Sequence, residues 1–184
     1  MKKNKKAIFV SVLIAVVALA SLVISINFKK IKRFFIGTPT LKLAYYAESL
    51  DDLINESELI ITAQVKNEQS ELTYSDVDFV KTKVKINEVL KGNINESEIT
   101  ILQTISKQDP TLKKGSTVLL FLFKYSGPVT VNAYVCRGLY QGHYILDGDL
   151  IKSSKDYNKN LDKEIKEINK IENLKQRINA LTNK

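Results

Sequence analysis

The chain has 184 residues, room for one ordinary domain plus an accessory segment, and a formal net charge of +8. The charge is unevenly placed: residues 1–36 hold eight of the 28 Lys and Arg residues and no acid, leaving 20 bases and 20 acids from Gly37 onward. A formally neutral remainder removes the compositional ground for a nucleic-acid partner of the folded part.

Residues 1–36 read MKKNKK, then an uncharged run, then KKIKRFF. Ala7–Phe28 is 22 residues long and only Ser11, Ser21, Ser25 and Asn27 in it are polar. At about 1.5 Å rise per residue, a helix of that length crosses a hydrocarbon layer of about 30 Å. The segment is expected to be a transmembrane anchor with basic flanks, residues 7–28 lying in the membrane. Ala18-Leu19-Ala20 has the small-residue spacing of a signal-peptide cleavage site, so a secreted product is the alternative. Cutting there leaves the apolar stub SLVISINF at the new N-terminus. The lysines before the run are balanced by Lys29, Lys30, Lys32 and Arg33 after it, which gives no orientation by charge. A short basic N-terminus ahead of a long domain favours a single-pass protein of the cell membrane with its C-terminal domain outside.

Residues 37–48 form a linker in which Pro39 discourages a helix. Ser49 and Asp52 have the spacing of a capping box, and Leu50, Leu53 and Ile54 share one helical face, so a short helix ending near Asn55 is predicted. Leu59, Ile61, Ala63 and Val65 then alternate as a half-buried strand. Asn67–Asp76 is polar and reads as a loop. VKTKVKINEVLKG, Val80–Gly92, alternates again: Val80, Thr82, Val84 and Ile86 form the core face, and Lys81, Lys83 and Lys85 the solvent face. No aromatic residue interleaves those lysines to stack on bases.

Asn93–Ser97 turns the chain into the strand EITILQTI, and Gln108–Ser116 is a second loop. TVLLFLFKY is continuously apolar, as a strand buried on both faces would be. VTVNAYVCR alternates, and HYILDGDLIKS is a tight hairpin with Asp147-Gly148 at its turn. Short strands at close spacing, with no helices between them, predict a mainly β domain over residues 49–153, a small barrel or a sandwich. Over residues 154–184, Leu161, Ile165, Ile168, Ile171, Leu174, Ile178 and Leu181 recur at spacings of three and four, which predicts one amphipathic helix. Glu164 and Glu167 would fall in the seam of a self-pairing coiled coil, so the stripe is expected to pack on its own domain and leave it monomeric.

SELIITAQV, VKTKVKINEVLKG, LKKGSTVLLFLF and QGHYILDGDLI together resemble the netrin-like fold, the barrel shared with tissue inhibitors of metalloproteinases and seen in exported bacterial proteins. The resemblance covers about Ser49 to Ser153 and implies an oligonucleotide/oligosaccharide-binding (OB) type of β-barrel. It also raises protease inhibition through barrel loops as an alternative function. The animal inhibitors place an N-terminal cysteine on the protease zinc, and here the only cysteine is Cys136, in mid-domain.

No enzymatic chemistry is predicted. A zinc site has only His143 and Cys136 to draw on, no GxSxG elbow or glycine-rich phosphate loop is present, and Asp147 and Asp149 suit a hairpin turn better than a calcium loop. Neither metal nor cofactor is therefore expected, and Cys136 reads as a buried thiol, with a reactive one as the alternative. The densest group of recognition-type side chains is Tyr134, Arg137, Tyr140, Gln141, His143 and Tyr144, a candidate binding edge for a protein or envelope polymer whose alternative is tyrosines half-buried at strand ends. The expected function is a membrane-anchored, extracytoplasmic, non-enzymatic binding module.

Overall fold

The computed structural model describes residues 45–106, 109–153 and 159–182. The expected anchor at 7–28 lies outside them, and among the described residues no helix is long and apolar enough to cross a membrane.

Helix α1 (Leu50–Asn55) starts where the capping box places it: Ser49 Oγ accepts from the Asp52 amide at 3.1 Å and Asp52 returns the bond to the Ser49 amide at 3.1 Å. Its other end is held by Lys91, whose ammonium donates to the carbonyls of Ile54 and Asn55 at 2.6 and 3.1 Å. Ala47, within the stretch read as linker, is already fully buried.

Seven strands follow: β1 (Leu59–Tyr74), β2 (Val77–Lys91), β3 (Glu98–Thr104), β4 (Thr117–Lys124), β5 (Ala133–Cys136), β6 (His143–Asp147) and β7 (Leu150–Ser153). They form one sheet in the order β1-β2-β3-β5-β4-β6-β7, and an extra pairing of β1 with β4 closes the first five into a ring. Four of the ring's seams are antiparallel; the fifth, β3 with β5, is parallel and consists of only Thr100↔Ala133 and Ile101↔Tyr134.

β4 explains the continuous apolar run. Its even residues Val118, Leu120 and Leu122 fill the ring with Ile61, Val84 and Ile101, while Leu119 and Phe121 point outward into a second core. β1 is corrected in two respects. Leu59–Val65 is buried on both faces, because Ile60 joins the outer core. Asn67–Asp76 is not a loop: β1 continues to Tyr74 and pairs with β2 up to Tyr74↔Val77, with only Ser75 and Asp76 left for the turn, both at positive φ. A register shift between Val65 and Gln69 separates the ring part of β1 from this arm. VTVNAYVCR is a strand only from Ala133 to Cys136, and Val131 stands 82 % exposed. The last hairpin turns on Gly148 and Asp149, one residue later than predicted; Gly148 takes φ 58, the positive value that a leading glycine supplies in a two-residue turn.

The predicted C-terminal helix is two helices, α2 (Lys159–Ile168) and α3 (Ile171–Thr182). Asn169 breaks it at φ 45, and asparagine is among the few residues that adopt this conformation readily. The apolar stripe survives the break. Leu161, Ile165, Ile171, Leu174 and Ile178 all bury against α1, Phe121 and Tyr144 in the outer core, so the stripe packs on its own chain. The connection between the helices runs beside β7: the Ile151 amide donates to Asn169 O at 2.9 Å and the Ile171 amide to Asp149 O at 3.0 Å.

Candidate functional site

The six residues singled out from the sequence do not form one surface. Tyr144 is 2 % exposed and meets Phe121 edge-on, with ring centroids 6.0 Å apart, in the outer core. Gln141 is buried in the one-turn 3-10 helix Leu139–Gly142, where its side chain accepts from the Ala47 amide at 2.9 Å and donates to the Ala47 carbonyl at 3.0 Å. That turn needs glycine at its end, since a Cβ on Gly142 would sit 2.4 Å from the Arg137 carbonyl oxygen. Tyr134 packs half-buried against the ring core, and Tyr140 is half-buried. Burial, followed by the negative charges of Glu96 and Glu58, raises the pKa of Tyr134. Of the six, Arg137 is the one that lines a cleft: its guanidinium lies 4.4 Å from the Tyr45 ring centroid and 5.0 Å from that of Phe123, and Nη2 donates to Glu56 at 2.6 Å.

His143 is buried beside Asp109, with Nδ1 3.8 Å from Oδ1. Opposite charges at that distance attract, but the gap is too long for a hydrogen bond and both groups are withdrawn from water, so desolvation prevails and both tend to neutrality. Burial lowers the His143 pKa to about 4. Burial also raises the Asp109 carboxyl to about 7, against a hydrogen bond from Gln103. Cys136 is a buried free thiol whose pKa burial, and then the charge of Asp109, push well up; the buried reading holds.

The two shifts act oppositely on stability. Asp109 holds in the folded state a proton that the unfolded chain releases, so its contribution is complete below about pH 3.8 and is lost as pH rises to about 7. His143 refuses a proton that the unfolded chain takes up, so it penalises folding as pH falls from 6.5 towards 4. In urea unfolding, Asp109→Asn is therefore expected to show stability rising with pH from 4 to 6.5 more steeply than the parent, and His143→Gln the reverse slope. Identical pH profiles for all three proteins would show that the neutral pair is misassigned.

Two concavities formed by described residues lie on the ring and its β1 arm. A shallow groove of about 620 Å³ crosses its outside, between Glu68–Ser70 of β1, Lys81 and Lys83 of β2, Thr100 of β3, and Thr130–Val131 of the β4–β5 connection. Lys81 and Lys83 stand on the solvent face of β2, opposite Val80, Thr82 and Val84 in the core, and Lys83 pairs with Glu68 at 3.0 Å. A deeper, mainly apolar cleft of about 660 Å³ opens where β3 and β5 part after their two shared pairs, lined in part by Leu102, Phe123, Val135 and Arg137. No pattern along the chain marks this cleft. Two of its polar members, Tyr45 and Asp109, come from segments that read as a linker and a loop.

Among the described residues no group of three or more His, Cys, Asp or Glu side chains could hold a metal ion. No protein-family model matches the chain, and no curated protein matches it at a significant level.

Proposed function

We propose that the chain is a membrane-anchored, extracytoplasmic, non-enzymatic binding module of OB-like, netrin-like type. Its ligand is a segment of protein or envelope polymer, held across the outer groove of β1–β3. The observation that carries this reading is the five-strand ring, β1-β2-β3-β5-β4 and back to β1, a Greek-key closure of the OB kind. In such barrels the second and third strands and the β4–β5 loop bind extended polymers, and the groove here lies on those elements. Its charge argues against a polyanion: Lys83 is already paired with Glu68, and the chain beyond residue 36 is formally neutral. The uncharged run at Ala7–Phe28 supports the anchor, and its basic N-terminal flank with the long domain behind it supports the outward topology.

The test uses the full chain in lipid nanodiscs, co-sedimented with purified envelope polymer and used to capture protein from the native membrane. A groove-blocking pair, Thr100→Tyr with Val131→Glu, is expected to reduce recovery at least about tenfold at unchanged urea midpoint, a loss of about 1.4 kcal/mol of binding. Equal recovery by both chains sinks the groove. Survival of the domain when protease is added to intact protoplasts sinks the topology.

A further inference from the structure

We propose that the cleft between β3 and β5 is the side-chain pocket of the groove, and that the ligand is an extended polypeptide segment with a large uncharged aromatic side chain and a carboxylate two residues from it. The inference rests on the groove reading above and narrows it from two kinds of polymer to one. The pairing of β2 with β3 puts both concavities on one face. Val84, Ile99 and Ile101 fill the ring, so by alternation Phe79, Lys81 and Lys83 of β2 and Thr100, Leu102 and Thr104 of β3 point away from it. The register sets these six in successive rows, Lys83↔Thr100, Lys81↔Leu102 and Phe79↔Thr104. The first row lines the groove and the last lines the cleft, while the middle row gives Lys81 to the groove and Leu102 to the cleft. Rows on one face are about 7 Å apart, so about four or five extended residues pass from one concavity into the other.

The two halves of this face ask for different chemistry. Phe123 and Val135, directly opposed on β4 and β5, also point away from the ring and continue the apolar floor of the cleft. That floor is deep, since Leu102 points outward and is still only 2 % exposed. The Arg137 guanidinium on the wall is matched by Glu56 at 2.6 Å and lies against the rings of Tyr45 and Phe123, so it calls for no counter-charge. A large neutral ring suits such a pocket, and buried aromatic anchors supply much of the affinity of protein segments. Sugar and phosphodiester polymers repeat polar groups and carry no such branch, whereas a polypeptide hangs one from a hydrogen-bonding backbone. In the groove, two lysines face one acid; Lys83 takes Glu68, which leaves one positive charge over, at Lys81 beside Leu102. Side chains two apart on an extended segment share a side, so a ring in the cleft puts a carboxylate two residues away at Lys81.

The chain contains no tryptophan, so the indole of a peptide, excited beyond the tyrosine band, reports binding by itself. The probes are capped threonine peptides holding one tryptophan and one aspartate, the aspartate two places before it or two places after it. Titrated into the full chain in nanodiscs, with empty nanodiscs subtracted, one of the two orders is expected to bind saturably with a blue shift. In competition, alanine in place of the tryptophan is expected to weaken the peptide about tenfold or more, and lysine in place of the aspartate about fivefold. Val135→Tyr fills the cleft and is expected to cost the tryptophan peptide about tenfold, leaving the alanine peptide and the urea midpoint unchanged. Lys81→Glu is expected to reverse the charge preference, so that the lysine peptide binds better than the aspartate one, which a merely structural Lys81 would not produce. Should Val135→Tyr fail to fold, the alanine peptide and the reversal decide the matter. No saturable binding, equal competition by the tryptophan and alanine peptides, or an unreversed preference overturns the proposal. The groove reading fails separately, when Thr100→Tyr with Val131→Glu leaves capture from the native membrane unchanged. If that pair abolishes capture and Val135→Tyr does not, or if envelope polymer is captured in place of protein, the groove stands and this proposal falls.

Discussion

A chain ending after residue 153 is expected to lose its cooperative unfolding transition and to bind a hydrophobic dye. The two C-terminal helices bury Leu161, Ile165, Ile171, Leu174 and Ile178, and each such side chain is worth about 1.5–3 kcal/mol. Together these exceed much of the roughly 5–15 kcal/mol by which a domain is stable at all. Their removal also uncovers the other wall of the outer core, where Leu50, Leu53, Phe121 and Tyr144 would face water. Polar interactions of the helices weigh less. Arg177 reaches both oxygens of Asp51 at 2.7 and 2.6 Å, yet that pair is largely solvated and contributes about 1 kcal/mol at most. Glu164 Oε2 accepts from the first amide of α1 at 3.1 Å, so α2 also helps to cap α1. Urea titration followed by circular dichroism decides the point: a truncated chain that unfolds at the parent's midpoint would mean that the ring core alone sustains the fold.

Gln141→Ala is the second large effect. The Gln141 side chain satisfies both the amide and the carbonyl of Ala47, at a place where Ala47 has no exposure at all. Removing the carboxamide deletes both bonds at a place closed to water, each worth about 0.5–1.5 kcal/mol net, so a loss of about 1–3 kcal/mol is expected. Gln141→Glu retains the acceptor, loses the donor and buries a charge, and it should be no better than alanine above neutral pH. A loss below about 1 kcal/mol in Gln141→Ala would mean that water reaches Ala47 and replaces both bonds.

What could be read from the sequence was local. The capping box at Ser49 and Asp52 needs four consecutive residues, and the two-faced burial of β4 shows as an unbroken apolar run. The polar arm of β1 had no such signature. Beyond Val65 it leaves the ring, so neither face is held in the core, and its strand character comes from the ladder with β2 alone. The break at Asn169 was hidden because Ile168, Ile171 and Leu174 keep helical spacing across it. His143 and Tyr144 alternate along β6 as a half-exposed pair would, but that end of the sheet is covered on both sides, by the ring interior on one and the helices on the other. Of the cleft's polar members, Arg137 stood in the group singled out from the sequence, whereas Tyr45 and Asp109 are brought to it only by tertiary structure, and no spacing announces them.

The joint between α2 and α3 also governs how the molecules behave at high concentration. β7 ends the sheet, and a terminal strand presents a row of unpaired amides and carbonyls on which a strand of another molecule can form. Here that row is occupied from within: Ile151 donates to Asn169, Ile171 donates to Asp149, and Leu150 bridges antiparallel to Lys170. The break that shortens the helix thus serves as a stopper against strand-by-strand growth from one molecule to the next.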